Sequence, residues 1–112
     1  MKIYHNPRCS KSRETLKIIE DAGKQVEIIE YLKSIPTEKE LIVLIRQLGI
    51  PAATLIRKGE AIYKEQFKDK NLTEDQWIKA MIEFPKLIER PIIVKGNRAI
   101  LGRPPQNVEV FL

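Results

Sequence analysis

The apolar positions of this chain switch between strand-like and helix-like spacing. Lys2-Ile3-Tyr4-His5 reads as a short strand, and Asn6-Pro7 ends it. Over residues 10–22 the pattern is helical, with Leu16, Ile19 and Ala22 at three-residue spacing and Gly23 as the stop. Val26-Glu27-Ile28-Ile29-Glu30-Tyr31 is rich in β-branched residues and predicts a second strand. Strand, helix and strand within residues 2–31 make a βαβ unit, so the two strands should run parallel.

Pro36-Thr37-Glu38-Lys39-Glu40 starts the next helix, with Thr37 and Glu40 spaced as a capping box. That helix should bury Leu41, Leu44, Ile45 and Leu48, and end at Gly49. Residues 51–72 predict short helical pieces and loops, with Arg57-Lys58-Gly59 as a polar turn. Thr73 and Gln76 repeat the capping pattern ahead of a helix carrying Trp77, Ala80, Met81 and Phe84, which Pro85 closes. The Trp77 and Met81 stripe reads as core. Pro91-Ile92-Ile93-Val94 predicts a third strand. Gly96-Asn97 turns the chain into an antiparallel fourth, Arg98-Ala99-Ile100-Leu101. Gly102-Arg103-Pro104-Pro105 breaks it and opens a last helix, packed down by Val108, Phe111 and Leu112. This order is the layout of an α/β, thioredoxin-like domain. It has a four-stranded mixed sheet with flanking helices, and a helical insertion between the β-α-β half and the β-hairpin.

At 112 residues the expectation is one domain spanning the chain. Apolar residues are 43% and charged residues 31%, the balance of a soluble globular protein. No apolar run approaches membrane-spanning length, and Met1-Lys2-Ile3-Tyr4-His5 does not open a signal peptide. Cytoplasmic residence is expected, where thiols stay reduced. The net charge of +5 favours anionic partners. Basic residues are interleaved with acidic ones, so nucleic-acid binding is the weaker reading.

Cys9 and His5 are the one cysteine and the one histidine. Together they make neither an internal disulfide nor the usual zinc site, so no metal is expected. Cys9 falls at the join of the first strand and helix, among Arg8, Lys11 and Arg13. The first-turn N–H groups of Ser10, Lys11 and Ser12, with the helix dipole, should favour a thiolate there and could cradle an oxyanion. The competing reading is a buried, inert cysteine, but Pro-Arg and Ser-Lys flanks are poor company for a core position. His5 reads equally as a neighbour of Cys9 or as a strand-end residue with its own hydrogen bond. Ser12 removes a Cys-x-x-Cys pair, Thr15 removes a phosphatase-type loop, and no nucleotide phosphate loop is present. Any second thiol must come from another molecule.

His5-Asn6-Pro7-Arg8-Cys9-Ser10-Lys11-Ser12-Arg13 resembles the H-N-P-x-C-x-x-S-R signature of the glutaredoxin-coupled arsenate reductase family. Leu55-Ile56-Arg57-Lys58, Leu87-Ile88-Glu89-Arg90-Pro91-Ile92 and Gly102-Arg103-Pro104 resemble its three arginine-bearing segments, in order. The chain is most similar to a shorter arsenate-reductase-like subgroup. Arg8 and Lys11 make its nucleophile loop more basic than is common in the family. The resemblance implies Cys9 as the nucleophile on arsenate, with Arg57, Arg90 and Arg103 holding the oxyanion and His5 and Ser12 supporting. It implies glutathione as co-substrate and glutaredoxin as partner, with no bound cofactor. It also implies a cis Arg90–Pro91 bond. Two rival readings keep the fold: a monothiol protein exchanging disulfides with glutathione, and a non-catalytic regulator of the Spx kind that binds RNA polymerase.

Overall fold

The structure, a computed structural model, describes residues 1–112. The chain forms two compact units, one of residues 1–34 and 90–112 and the other of residues 35–89. The first unit holds strands β1 (Lys2–His5), β2 (Glu27–Glu30), β3 (Ile92–Lys95) and β4 (Arg98–Leu101) in one mixed sheet of order β2-β1-β3-β4. β1 and β2 pair in parallel, joined by helix α1 (Ser10–Asp21), while β1–β3 and β3–β4 are antiparallel. The fold is thioredoxin-like, as the order of elements predicts.

Ile3 of β1, Ile93 of β3, Ile19 of α1, and Val108 and Phe111 of a closing 3₁₀ helix (Pro105–Phe111) make this unit's core. Met1, Leu16, Ile18, Val26 and Ile100 pack around it. Two sequence expectations change here. Helix α1 buries Ser12, Thr15 and Ile19, whereas Ala22 caps the helix in solvent and Leu16 is only partly covered. Leu112 is exposed, and the last helix is held down by Pro105, Val108 and Phe111 instead. Gly23, with φ of +72°, takes the left-handed turn that ends the α1 segment.

The second unit is helical. Helices α2 (Glu38–Leu48) and α4 (Glu74–Glu83) each start with a complete capping box, Thr37 with Glu40 and Thr73 with Gln76. Two 3₁₀ turns (Ala52–Leu55 and Pro85–Leu87) and helix α3 (Ala61–Gln66) fill the rest. Leu41, Leu44 and Ile45 of α2, with Trp77, Ala80 and Met81 of α4, are buried as predicted. The Glu74 carboxylate accepts the Ala52 N–H at 3.0 and 2.9 Å, tying the first 3₁₀ turn to the start of α4. No helix in the chain is long and apolar enough to cross a membrane.

Candidate active site

Cys9 is the N-cap residue of α1, with the extended backbone (φ −93°, ψ 124°) that such a residue adopts. Its N–H donates to the Asn6 carbonyl at 3.0 Å, and its carbonyl accepts the first helical bond from Arg13 at 3.0 Å. An N-cap side chain reaches the N–H groups of the second and third helical residues, here Lys11 and Ser12. Cys9 makes no side-chain capping hydrogen bond of ordinary geometry, yet the Ser12 and Lys11 N–H groups act on its sulfur and lower the thiol pKa. This refines the sequence expectation: Ser12 and Lys11 serve the sulfur, and Ser10, as first helical residue, lies outside that reach.

The sulfur is partly buried. Burial pushes the Cys9 thiol up, but the Ser12 N–H, a hydrogen bond from the Arg90 side chain, the Lys11 N–H and the charge of Arg90 outweigh it, and the net pKa is lowered. Arg90 is itself buried and stands immediately before Pro91, ahead of strand β3. Its carbonyl accepts a hydrogen bond from Arg103 Nη1 at 3.0 Å. Of the three arginines singled out in the sequence, Arg90 thus reaches Cys9 and Arg103 joins it through the Arg90 backbone. The third, Arg57, belongs to the second unit. There its N–H donates to the Leu87 carbonyl at 2.7 Å, and its guanidinium lies 3.4 Å from Glu60 and 3.9 Å from Glu89.

His5 and Ser12 form a buried pair, with Nδ1 2.6 Å from Oγ. The Ser12 hydroxyl also accepts the Asn6 N–H at 3.1 Å. Burial pulls the His5 pKa below its ordinary value; Arg13 lowers it further, while Glu30 and Glu20 pull the other way. Of the two readings of His5, the strand-end residue with its own hydrogen bond describes this contact, and Ser12 links that bond to the helix turn under the sulfur. Arg8, Lys11 and Arg13 are exposed, with Arg13 Nη1 donating to the Pro7 carbonyl at 3.0 Å. The Arg90–Pro91 bond is cis, and so is Arg103–Pro104. No group of three or more His, Cys, Asp or Glu side chains is placed to hold a metal ion.

Asn6, which the sequence marks only as a strand breaker and part of the signature, also builds the loop. Its side-chain oxygen accepts the Arg8 N–H at 3.0 Å, an Asx turn, while its backbone bonds both Cys9 and Ser12. The signal was present, since asparagine two residues before a loop N–H is the usual Asx pattern.

Comparison with known proteins follows the same lines. A family model described as the ArsC family matches residues 4–111. YfgD of Escherichia coli K12 is 46% identical over 110 residues, covering 96% of this chain and 92% of that protein. A Neisseria meningitidis protein named arsenate reductase is 40% identical over 114 residues, covering 100% of this chain and 97% of its own length. The solved structure titled arsenate reductase from Vibrio cholerae superposes with a TM-score of 0.93 at 46% identity, covering 100% of this chain and 98% of that one.

Proposed function

The chain belongs to the ArsC family, and on that footing we propose that it reduces arsenate to arsenite through a Cys9 adduct, with glutathione and glutaredoxin as electron donors. The observation that carries this reading is a sulfur at a helix N-terminus whose pKa is lowered and to which an arginine is hydrogen-bonded. A sulfur in that state attacks, and the donors that stabilise it are those a tetrahedral oxyanion wants.

The Cys9 thiolate bonds to arsenic, and one oxygen leaves as water with protons from solvent. A glutathione thiolate bonds in the same way, and a second water leaves. A glutaredoxin thiolate then attacks the glutathione sulfur. The disulfide forms, the arsenic–glutathione bond breaks, and its electron pair stays on arsenic, taking As(V) to As(III). Hydrolysis of the remaining sulfur–arsenic bond frees arsenite and returns the Cys9 thiolate. Arg90 lowers the charge cost of the first step from its place on the sulfur. Arg103 and Arg57 come to the oxyanion through the family resemblance, and the chemistry suits them, because guanidinium is planar, permanently charged and rich in donors.

The test is NADPH oxidation coupled through glutathione reductase, glutathione and glutaredoxin. Arsenate-dependent turnover is expected, abolished in Cys9→Ser, with the KM for arsenate raised in Arg57→Ala, Arg90→Ala and Arg103→Ala. A rate no higher than that of Cys9→Ser would sink the proposal. Turnover of a glutathione mixed disulfide without arsenate would replace it with monothiol exchange.

A further inference from the structure

Gly102 is where strand β4 runs into helix α1. Its N–H donates to the Pro91 carbonyl at 2.9 Å, one rung beyond the β3–β4 ladder that pairs Ile92 with Leu101. A β-carbon on Gly102 would stand 2.7 Å from Pro91 Cγ, 2.7 Å from Thr15 Oγ1 and 3.1 Å from Thr15 Cγ2. Neither neighbour can swing away. Pro91 is a ring closed on its own backbone, and Thr15 is fully buried. The Thr15 hydroxyl donates to the Lys11 carbonyl at 2.8 Å and approaches the Gly102 carbonyl at 3.4 Å. Glycine is needed here for close approach of backbone to side chain, not for an unusual φ.

The residues on either side of this contact are the two arginines. Arg90 precedes Pro91 and bonds the Cys9 sulfur. Arg103 follows Gly102 and bonds the Arg90 carbonyl. On the helix side, Thr15 holds the carbonyl of Lys11, whose N–H also serves the sulfur. The spacing between α1 and the end of the hairpin therefore sets how far the Arg90 guanidinium stands from the thiolate.

We propose that Gly102 is a positioning residue: by lying flat against Thr15 and Pro91 it seats Arg90 and Arg103 on the helix N-terminus that carries Cys9. Whatever concerns an oxyanion in this proposal rests on the arsenate-reductase reading; the effect on the thiol does not. A β-carbon at this position pushes the hairpin end away from α1, lengthens the Arg90 contact and leaves the thiolate with its two backbone donors alone.

The experiment follows the pH dependence of Cys9 alkylation by iodoacetamide in Gly102→Ala, Thr15→Ala and the double variant, with urea unfolding to confirm the folded state and arsenate kinetics alongside. Gly102→Ala is expected to move the alkylation midpoint to higher pH and to raise the arsenate KM roughly tenfold or more, the scale of a misplaced contact. The double variant, in which removal of the threonine side chain opens room for the new methyl group, is expected to recover part of both. A folded Gly102→Ala with an unmoved midpoint overturns the proposal, since a role confined to stability lowers the unfolding midpoint alone. A shift undiminished in the double variant also overturns it. If Gly102→Ala does not fold, Thr15→Val carries the test, because it sets a methyl against Gly102 and releases the Lys11 carbonyl; an unmoved midpoint there overturns the proposal too. An alkylation shift in a protein that turns over no arsenate retires the substrate reading and leaves the positioning role standing.

Discussion

Ser12 serves the site with two parts of one residue, its N–H toward the Cys9 sulfur and its hydroxyl between His5 and the Asn6 N–H. The donors on the sulfur come from two sources, helix α1 and Arg90, and only Arg90 can be removed by substitution. Arg90→Gln is therefore expected to move the midpoint of Cys9 alkylation to higher pH without restoring an ordinary thiol, because the Ser12 and Lys11 N–H groups stay. A midpoint unchanged from wild type would count against the guanidinium contact. His5 gives a linked stability effect. Its pKa is lowered in the folded chain, so the unfolded chain binds the proton first as pH falls. The stability tied to a neutral His5 is complete above the ordinary histidine range near roughly 6.5 and drains away as pH falls below it toward the folded value. Urea midpoints measured at neutral and mildly acidic pH should fall more in wild type than in His5→Asn; an equal fall in both refutes the buried, neutral imidazole. Cys9 was legible in the sequence because charged and polar flanks betray a surface loop. Gly102 was not, because the atom it must avoid belongs to Thr15, 87 residues away along the chain.

The elements that sequence reasoning placed best are those whose cause is local. The two capping boxes need only residues three apart, and both formed. Helix α1 shows the opposite case. Apolar spacing points to Leu16, Ile19 and Ala22; the helix buries Ile19 but also Ser12 and Thr15, with Leu16 only partly covered and Ala22 exposed. Each of those hydroxyls has a partner, His5 or the Lys11 carbonyl, so burial leaves no polar group unsatisfied. A hydrophobicity pattern has no means of registering such partners, and Ser12 and His5 enter the site reading as supporting residues only through the family signature. A cap, in contrast, makes a clean prediction. Thr37→Ala removes the bond to the Glu40 N–H, 3.1 Å long and exposed, and should cost about 1 kcal/mol of stability in urea unfolding. The Cys9 alkylation profile should not move. A loss of stability too small to measure would show the box contributing nothing, and a shifted profile would show that α2 and the thiol are coupled.

Across the whole molecule the charge balance is +5, and part of that excess sits beside Cys9 on Arg8, Lys11 and Arg13, all exposed. Glu14, Glu20, Glu30 and Asp21 lie on the same half of the chain, so the field is a local excess rather than a basic patch. Such a field acts over a Debye length, about 10 Å at 0.1 M salt and about 3 Å at 1 M. It raises the encounter rate of an anion with the sulfur and leaves a neutral reagent unaffected. Iodoacetate and iodoacetamide differ in that charge and attack by the same chemistry, so their rate ratio reports the field with thiolate content cancelled. The ratio of iodoacetate to iodoacetamide rates should be highest at low salt and fall several-fold by about 1 M, as screening removes the long-range part. Arg8→Gln combined with Lys11→Gln should lower the ratio at low salt and flatten its salt dependence, with the iodoacetamide midpoint little changed because neither side chain bonds the sulfur. A ratio independent of salt in the wild type would mean that the exposed cations of the loop are only solvated, and that the buried Arg90 contact alone draws an anion to Cys9.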